Sequence, residues 1–200
     1  MKKTLILMMA CLLGLSIVQS SCKKKKDDPE PDPTPTTPVT PAPSLYDRVG
    51  GTAMVSDPNN SGQMIEKGRL TLRSVVDSSV FVIAADTAMT KYFGTLLGEV
   101  GMGNTTGFAA LSKNFTDFLC VATGSKNSAY AYTGKSMKDA HDPSKNSRMG
   151  MKVNATDFDR FVGDIGTGLA KNGVTAANNK ALVDDLVALL YSTKNDIVQR

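Results

Sequence analysis

The chain has no tryptophan, a single histidine (His141) and only three cysteines. One histidine excludes a two-histidine zinc site and a pair of histidine acid/base catalysts, and there is no C-x-x-C-H cofactor attachment. Proline is nearly absent from most of the chain, because seven of its nine prolines lie between Pro29 and Pro43. After Ser44 only Pro58 and Pro143 remain. Net charge is small as well: the +4 total includes six lysines against four acidic residues in the first 44 positions. The remainder carries 17 basic and 15 acidic residues, with no basic stripe, so nucleic acid is not an expected partner.

What the first 44 residues do have is an export signature. Met1-Lys2-Lys3 is a positive start, and Leu5 to Val18 is an apolar run too short for a comfortable membrane span. Residues 1–21 read as a signal peptide. The run Ser16-Ile-Val-Gln-Ser-Ser-Cys22 resembles a bacterial lipobox, which implies that Cys22 is acylated and anchors the mature chain to the cell envelope. Gln19 stands where such boxes usually have leucine, and ordinary signal cleavage is the competing reading. Residues 22–44, rich in lysine and proline, have almost nothing to bury. At about 3 Å per residue this tether reaches roughly 60 Å. Cys11 leaves with the signal and Cys22 takes lipid, so Cys120 alone stays in the folded part. No internal disulfide is expected there, and stability must come from packing. Cys120 falls in an apolar helical pattern, as a buried thiol would; a Cys120/His141 dyad stays open as the reactive alternative.

Residues 45–200 are expected to form one all-α domain. Phe158, Phe161, Val162, Ile165 and Leu169 keep helical spacing between a cap at Thr156 and a stop at Asn172-Gly173. Phe108, Leu111, Phe115, Phe118, Leu119 and Ala122 share a second face, ending near Gly124. Leu182, Leu186, Leu189 and Leu190 mark a third helix from about Asn178 to Ile197. Leu70 to Ala85 has strand propensity in Val75, Val76, Val80, Val82 and Ile83, but no partner strand is visible, so a helix is expected. Residues 56–68, 98–107 and 142–151 read as loops from their Gly, Pro, Asn and Ser content.

His141 ends a short helical stretch between two phenylalanine-bearing helices, so its imidazole can open into an apolar pocket of a helical core. One neutral imidazole in a greasy slot suits an iron porphyrin, whereas zinc would need more ligands. At these residues the chain resembles the truncated haemoglobins of the group I type. The resemblance rests on Ser44-Leu45-Tyr46-Asp47-Arg48-Val49-Gly50-Gly51, then Val75-Val76-Asp77 with Asp86 and Tyr92-Phe93, then Lys113 to Gly124. It continues in Tyr132-Thr133-Gly134-Lys135-Ser136-Met137-Lys138-Asp139-Ala140-His141, the most specific piece, and in Asp157-Phe158-Asp159-Arg160-Phe161-Val162.

That family implies two helices packed over two, with haem b held by one proximal histidine, here His141. By position in the motifs, Phe93 would stack on the porphyrin, Phe118 would shield its edge and Met137 would pack beneath it. Leu111, Phe115 and Val80 would line the distal side. Departures from the pattern matter for mechanism. Val80 stands where a ligand-binding tyrosine is common, and Phe115 stands where a polar residue often assists. Two insertions, at 56–70 and at 142–151, interrupt the compact pattern, and backbone carbonyls of the second are candidates to bond the imidazole's other nitrogen.

The resemblance implies reversible binding of a diatomic gas (oxygen, nitric oxide or carbon monoxide), with an unidentified reductase as partner. The competing reading is a globin-like lipoprotein without haem that serves as a structural or partner-binding module. Nitric oxide dioxygenation and peroxidase-like chemistry remain open as enzyme readings, although the absent distal donors argue against efficient oxygen activation.

Overall fold

A computed structural model of the chain describes residues 41–200. The signal peptide, the lipobox cysteine Cys22 and nearly all of the tether lie outside the described residues. Eight helices and one small hairpin follow in chain order: α1 (Leu45–Arg48), β1 (Met54–Ser56), β2 (Met64–Glu66), α2 (Lys67–Ala85), α3 (Gly94–Gly101), α4 (Thr106–Thr123), α5 (Met137–Ala140), α6 (Ala155–Lys171), α7 (Ala176–Tyr191) and α8 (Lys194–Ile197). Single turns of 3-10 helix cover Thr90–Tyr92 and Ser128–Tyr130. Among the described residues, no helix is long and apolar enough to cross a membrane.

The four long helices make two layers. α2 packs on both α4 and α6, and α6 packs on α7. The sequence pattern explains why each face is inward. On α6, Phe158, Val162, Ile165 and Leu169 are buried at spacings of four, three and four, each apolar side chain contributing about 1.5–3 kcal/mol by leaving water. On α2, Leu72, Val75, Val76, Val80 and Ile83 are buried against it. Ser79 sits in the middle of that face and turns its hydroxyl back on the Val75 carbonyl at 2.7 Å, so no polar atom is stranded. Opposite Ser79 is Gly168, where a Cβ would collide with the serine hydroxyl, and this allows the α2 and α6 backbones to approach closely.

The valine-rich segment is therefore a helix, as expected, but the domain is not purely helical. β1 and β2 pair antiparallel with Val55 opposite Ile65; β2 lies inside the segment read as the first insertion and loop, and β1 leads into it. Asp57 organises the turn, accepting from the Asn59 amide at 2.9 Å and from Arg73 at 2.7 Å, which ties the hairpin to α2. Three further boundaries differ from expectation. Residues 98–107 are not all loop, since α3 runs through Gly101. The α6 cap is Asn154, whose side-chain oxygen accepts from the Asp157 amide at 2.8 Å, and not Thr156. The last helix breaks after Tyr191 and resumes as α8, and its start is irregular at Asn179, whose backbone angles are not helical.

Polar pins close the core at the end near α1. Tyr46 donates to Glu66 at 2.6 Å, and Asn127 donates to the other Glu66 oxygen at 2.8 Å. Burial and the Glu66 carboxylate push the Tyr46 phenol well above its usual range. Arg69 on α2 meets Asp117 on α4 at 2.7 Å and stacks over the Tyr130 ring at 4.3 Å.

Candidate haem-binding cavity

A cavity of about 360 Å³ opens between the start of α3, the inner face of α4, the α5 turn and the α6 face. That is within the range of small-molecule and cofactor sites, about 300–1,000 Å³. Its walls are mainly apolar and aromatic. Phe93, Leu111, Phe115, Phe118, Met137 and His141 all line it, so six of the seven expected residues meet around one space. Val80 is the exception. It is buried on the wall of a smaller adjoining cavity of about 140 Å³, which shares Phe93, Leu96, Leu111, Phe115 and Phe161 with the larger one.

Ser136 caps α5 by accepting from the Asp139 amide at 3.1 Å, and the turn delivers His141 as its C-terminal residue. His141 Nδ1 lies 2.8 Å from the Met137 carbonyl oxygen. A carbonyl can only accept, so Nδ1 carries the hydrogen and the Nε2 lone pair is left for another partner. This corrects one expectation. The second-nitrogen contact comes from the turn before the histidine, not from the 142–151 insertion.

Burial lowers the His141 pKa below the ordinary imidazole value of 6.5, and the Met137 hydrogen bond only partly offsets this. The ring is neutral at neutral pH, which is the form that binds metal. The shift also bears on stability. Below pH 6.5 the unfolded chain takes a proton that the folded ring resists, so stability falls as pH drops through that value toward the folded pKa. The metal-free wild type is expected to lose stability more steeply over that window than His141→Phe. Denaturant melts of both proteins at several pH values check this; equal slopes would contradict it.

Several residues in and around the cavity had no role expected from the sequence. Tyr132 donates its hydroxyl to the Lys135 carbonyl at 2.6 Å and meets Phe118 edge to face at 6.2 Å. Tyr92 donates to Asp157 at 2.5 Å, and Asp157 also meets Lys91 at 2.8 Å, which with the Tyr92 bond holds its carboxyl below the usual carboxylate range. Asn114, Lys135 and Arg148 add polar atoms to the wall. Of these, Tyr92, Asn114, Tyr132, Lys135 and Asp157 lie inside the sequence motifs without a role having been given to them, and only Lys91 and Arg148 lie outside every motif. Cys120 is fully buried, is absent from the cavity wall and lies 3.7 Å from Arg69, while burial raises its pKa. The thiol is thus a packed core group, and the structure does not assemble a Cys120/His141 dyad. Among the described residues, no group of three or more His, Cys, Asp or Glu could hold a bare metal ion.

Comparison with solved structures decides the frame. Two structures of a truncated haemoglobin from Tetrahymena pyriformis, both single-residue variants in the Fe(III) form, superpose with a TM-score of 0.52 at 20% identity. Each match covers 79% of this chain and 100% of the other. The fold is that of a truncated haemoglobin. No protein-family model matches the sequence, and no curated protein matches it either. α2, α4, α6 and α7 are the long helices of that fold here, and α5 is the short turn that ends at His141.

The residues present fit an iron porphyrin on donor chemistry alone. One neutral imidazole faces an apolar, aromatic-walled space with cations at its polar wall, Lys135 and Arg148.

Proposed function

We propose that this protein is a haem-binding globin that reversibly binds a diatomic gas through an iron ligated by His141, and that it is tethered to the cell envelope through Cys22. The observation that carries the reading is His141 itself, neutral, with Nδ1 committed to the Met137 carbonyl and its ring in the wall of the cavity. Haem b, held without covalent attachment, is the form that suits the site, because Cys120 is the only cysteine among the described residues and it lies away from the cavity. When bound, the haem would supply an iron able to take the His141 imidazole and a diatomic gas.

The chain's own residues set the rest. Phe93, Phe118, Met137, Leu111 and Phe115 line the cavity; with haem bound, Phe93 would stack on the porphyrin, Phe118 would shield its edge, Met137 would pack beneath it, and Leu111 and Phe115 would line the distal side. Val80 borders that side through the smaller cavity and has no hydrogen to donate. A reductase is the partner that would keep the iron ferrous. Export follows from the Met1-to-Cys22 pattern, and metabolic labelling with a fatty acid tests it through loss of label in Cys22→Ser.

Titration of the full-length chain with haemin tests the cofactor, and a sharp Soret band at one equivalent is expected. A well-folded protein that stays colourless would favour a structural or partner-binding module. The apolar distal side has a kinetic consequence. A donor to a partly anionic gas ligand is worth about 1.5–3 kcal/mol, so without one the reduced, loaded protein is expected to release oxygen quickly. Val80→Tyr, which adds a hydroxyl donor beside the wall that the two cavities share, is expected to slow release by about tenfold or more. Stopped-flow oxygen displacement measures both. Slow release by the wild type, lost in Asn114→Ala, would overturn this and make the Asn114 amide the donor.

A further inference from the structure

The 142–151 segment leaves the histidine turn and crosses to the other side of the cavity. Asn146 holds its start by donating to the Ala140 carbonyl at 2.7 Å. Gly150 fixes its end, its amide donating to the Tyr92 carbonyl at 3.1 Å. Between these points Asn146, Arg148 and Met149 line the cavity. The segment is a strap from the proximal turn to the Tyr92-Phe93 corner.

One ion pair fastens its middle. Arg148 Nε lies 3.1 and 3.2 Å from the two Glu99 carboxylate oxygens of α3. Beneath this pair is Gly107, at the start of α4 and itself in the cavity wall. A Cβ there would stand 2.9 Å from Leu96 and 3.0 Å from Arg148 Nε, and would collide with the Glu99 carboxylate. The absence of a side chain at Gly107 is what brings the pair to the cavity edge.

The pair is also unequal. The Glu99 side chain is 19% exposed, while that of Arg148 is 49% exposed. A guanidinium so exposed, on a strap, can turn to a second anion; the half-buried carboxylate, fixed on α3, does not follow it. The nearby pair at the same corner is already engaged: Lys91 meets Asp157, and Asp157 also accepts from Tyr92 and Asn154.

Resting on the haem-binding reading, we propose that Arg148 is a carboxylate-exchange latch. It pairs with Glu99 when the cavity holds no porphyrin, and passes its guanidinium to a carboxylate of the bound porphyrin. The ligand class is a flat apolar ring with anionic substituents at one edge, and a neutral ring of the same shape would not engage the latch. Glu99 is the internal competitor of that carboxylate. Removing it frees Arg148 for the ligand, whereas removing Arg148 deprives the ligand of its partner. The two halves of one ion pair then have opposite effects on retention.

The test uses full-length wild type, Arg148→Gln, Arg148→Lys and Glu99→Gln, each loaded with haem or with its dimethyl ester. Release to an excess of an acceptor apoglobin is followed by absorbance, and far-UV circular dichroism checks that each variant is folded. Haem release is expected to be roughly tenfold faster in Arg148→Gln, intermediate in Arg148→Lys and slower than wild type in Glu99→Gln. Ester release is expected to be the same in all four. Equal acceleration by Arg148→Gln and Glu99→Gln would make the pair a plain clasp and overturn the exchange. So would an ester that responds as haem does. Failure of the wild type to take up either porphyrin would instead overturn the haem-binding reading, and the latch with it.

Discussion

Replacing His141 with alanine is expected to remove the protein's hold on iron while leaving the fold in place. The imidazole is half-buried at the end of a four-residue turn, and the turn is held by its Ser136 cap and not by the ring. Its loss costs one hydrogen bond to Met137 and some packing, about 1 kcal/mol. The consequence for metal is far larger, because no other neutral nitrogen ligand exists in the chain to substitute for its only histidine. Haem retention is expected to fall by on the order of a hundredfold or more, given that even groups that merely orient a ligand are worth 10–100-fold. Any porphyrin that still enters the apolar cavity should show a spectrum altered at the iron, and added imidazole should restore the wild-type bands. Normal uptake with an unchanged spectrum in His141→Ala would remove the residue from the iron.

The largest effect on stability is expected at Asp117, far from any chemistry. Its side chain is 1% exposed and meets Arg69 at 2.7 Å and Lys113 at 2.5 Å. Arg69 has little freedom to escape: its side chain is 14% exposed, it stacks on Tyr130 at 4.3 Å, and it reaches toward Cys120 at 3.7 Å. Asp117→Ala strands this guanidinium between α2 and α4 without its carboxylate. Breaking a buried pair from one side costs about 3–5 kcal/mol, and a domain of this size should melt roughly 10 °C lower. The paired replacement Arg69→Met with Asp117→Leu should recover most of the loss, since it removes both desolvated charges together. Thermal melts of the three proteins check it. A double variant as unstable as Asp117→Ala would show that the loss lies in packing and not in the stranded charge. Because α4 carries Leu111, Phe115 and Phe118, the same pair holds the cavity wall against α2.

The helical core was legible from residue spacing, and the reasons are local. Phe158, Val162, Ile165 and Leu169 can share a face only at helical pitch, and in α2 the lack of a partner strand outweighed five β-branched residues. The hairpin was missed because each strand is three residues long, too short to show alternation. Its signal was the turn chemistry of Asp57-Pro58-Asn59-Asn60-Ser61-Gly62 between Met54-Val55-Ser56 and Met64-Ile65-Glu66. The helix α3 was missed for a related reason. Gly98 and Gly101 read as loop, and Leu96 buried in the cavity wall outweighs the low helix propensity of the glycines in Gly94–Gly101.

The site divides in the same way. His141, Met137 and the phenylalanines could be named because one ordered set of motifs places them, whereas the Glu99–Arg148 pair joins residues 49 apart through the chain's own insertion. Nothing in either local sequence marks the other. Val80 shows the converse limit. Motif position placed it on the distal side, and packing set it one cavity away, behind Leu111 and Phe115.

The most direct test of the account is the absorption spectrum of the haemin-loaded chain in both iron oxidation states, beside that of His141→Ala. The wild type is expected to show a Soret band in both states that shifts on reduction, visible bands of an imidazole-ligated iron, and a further shift when carbon monoxide is added. In His141→Ala those imidazole-dependent features should be lost. A wild-type spectrum that matches free haemin, or one that His141→Ala reproduces, would contradict it.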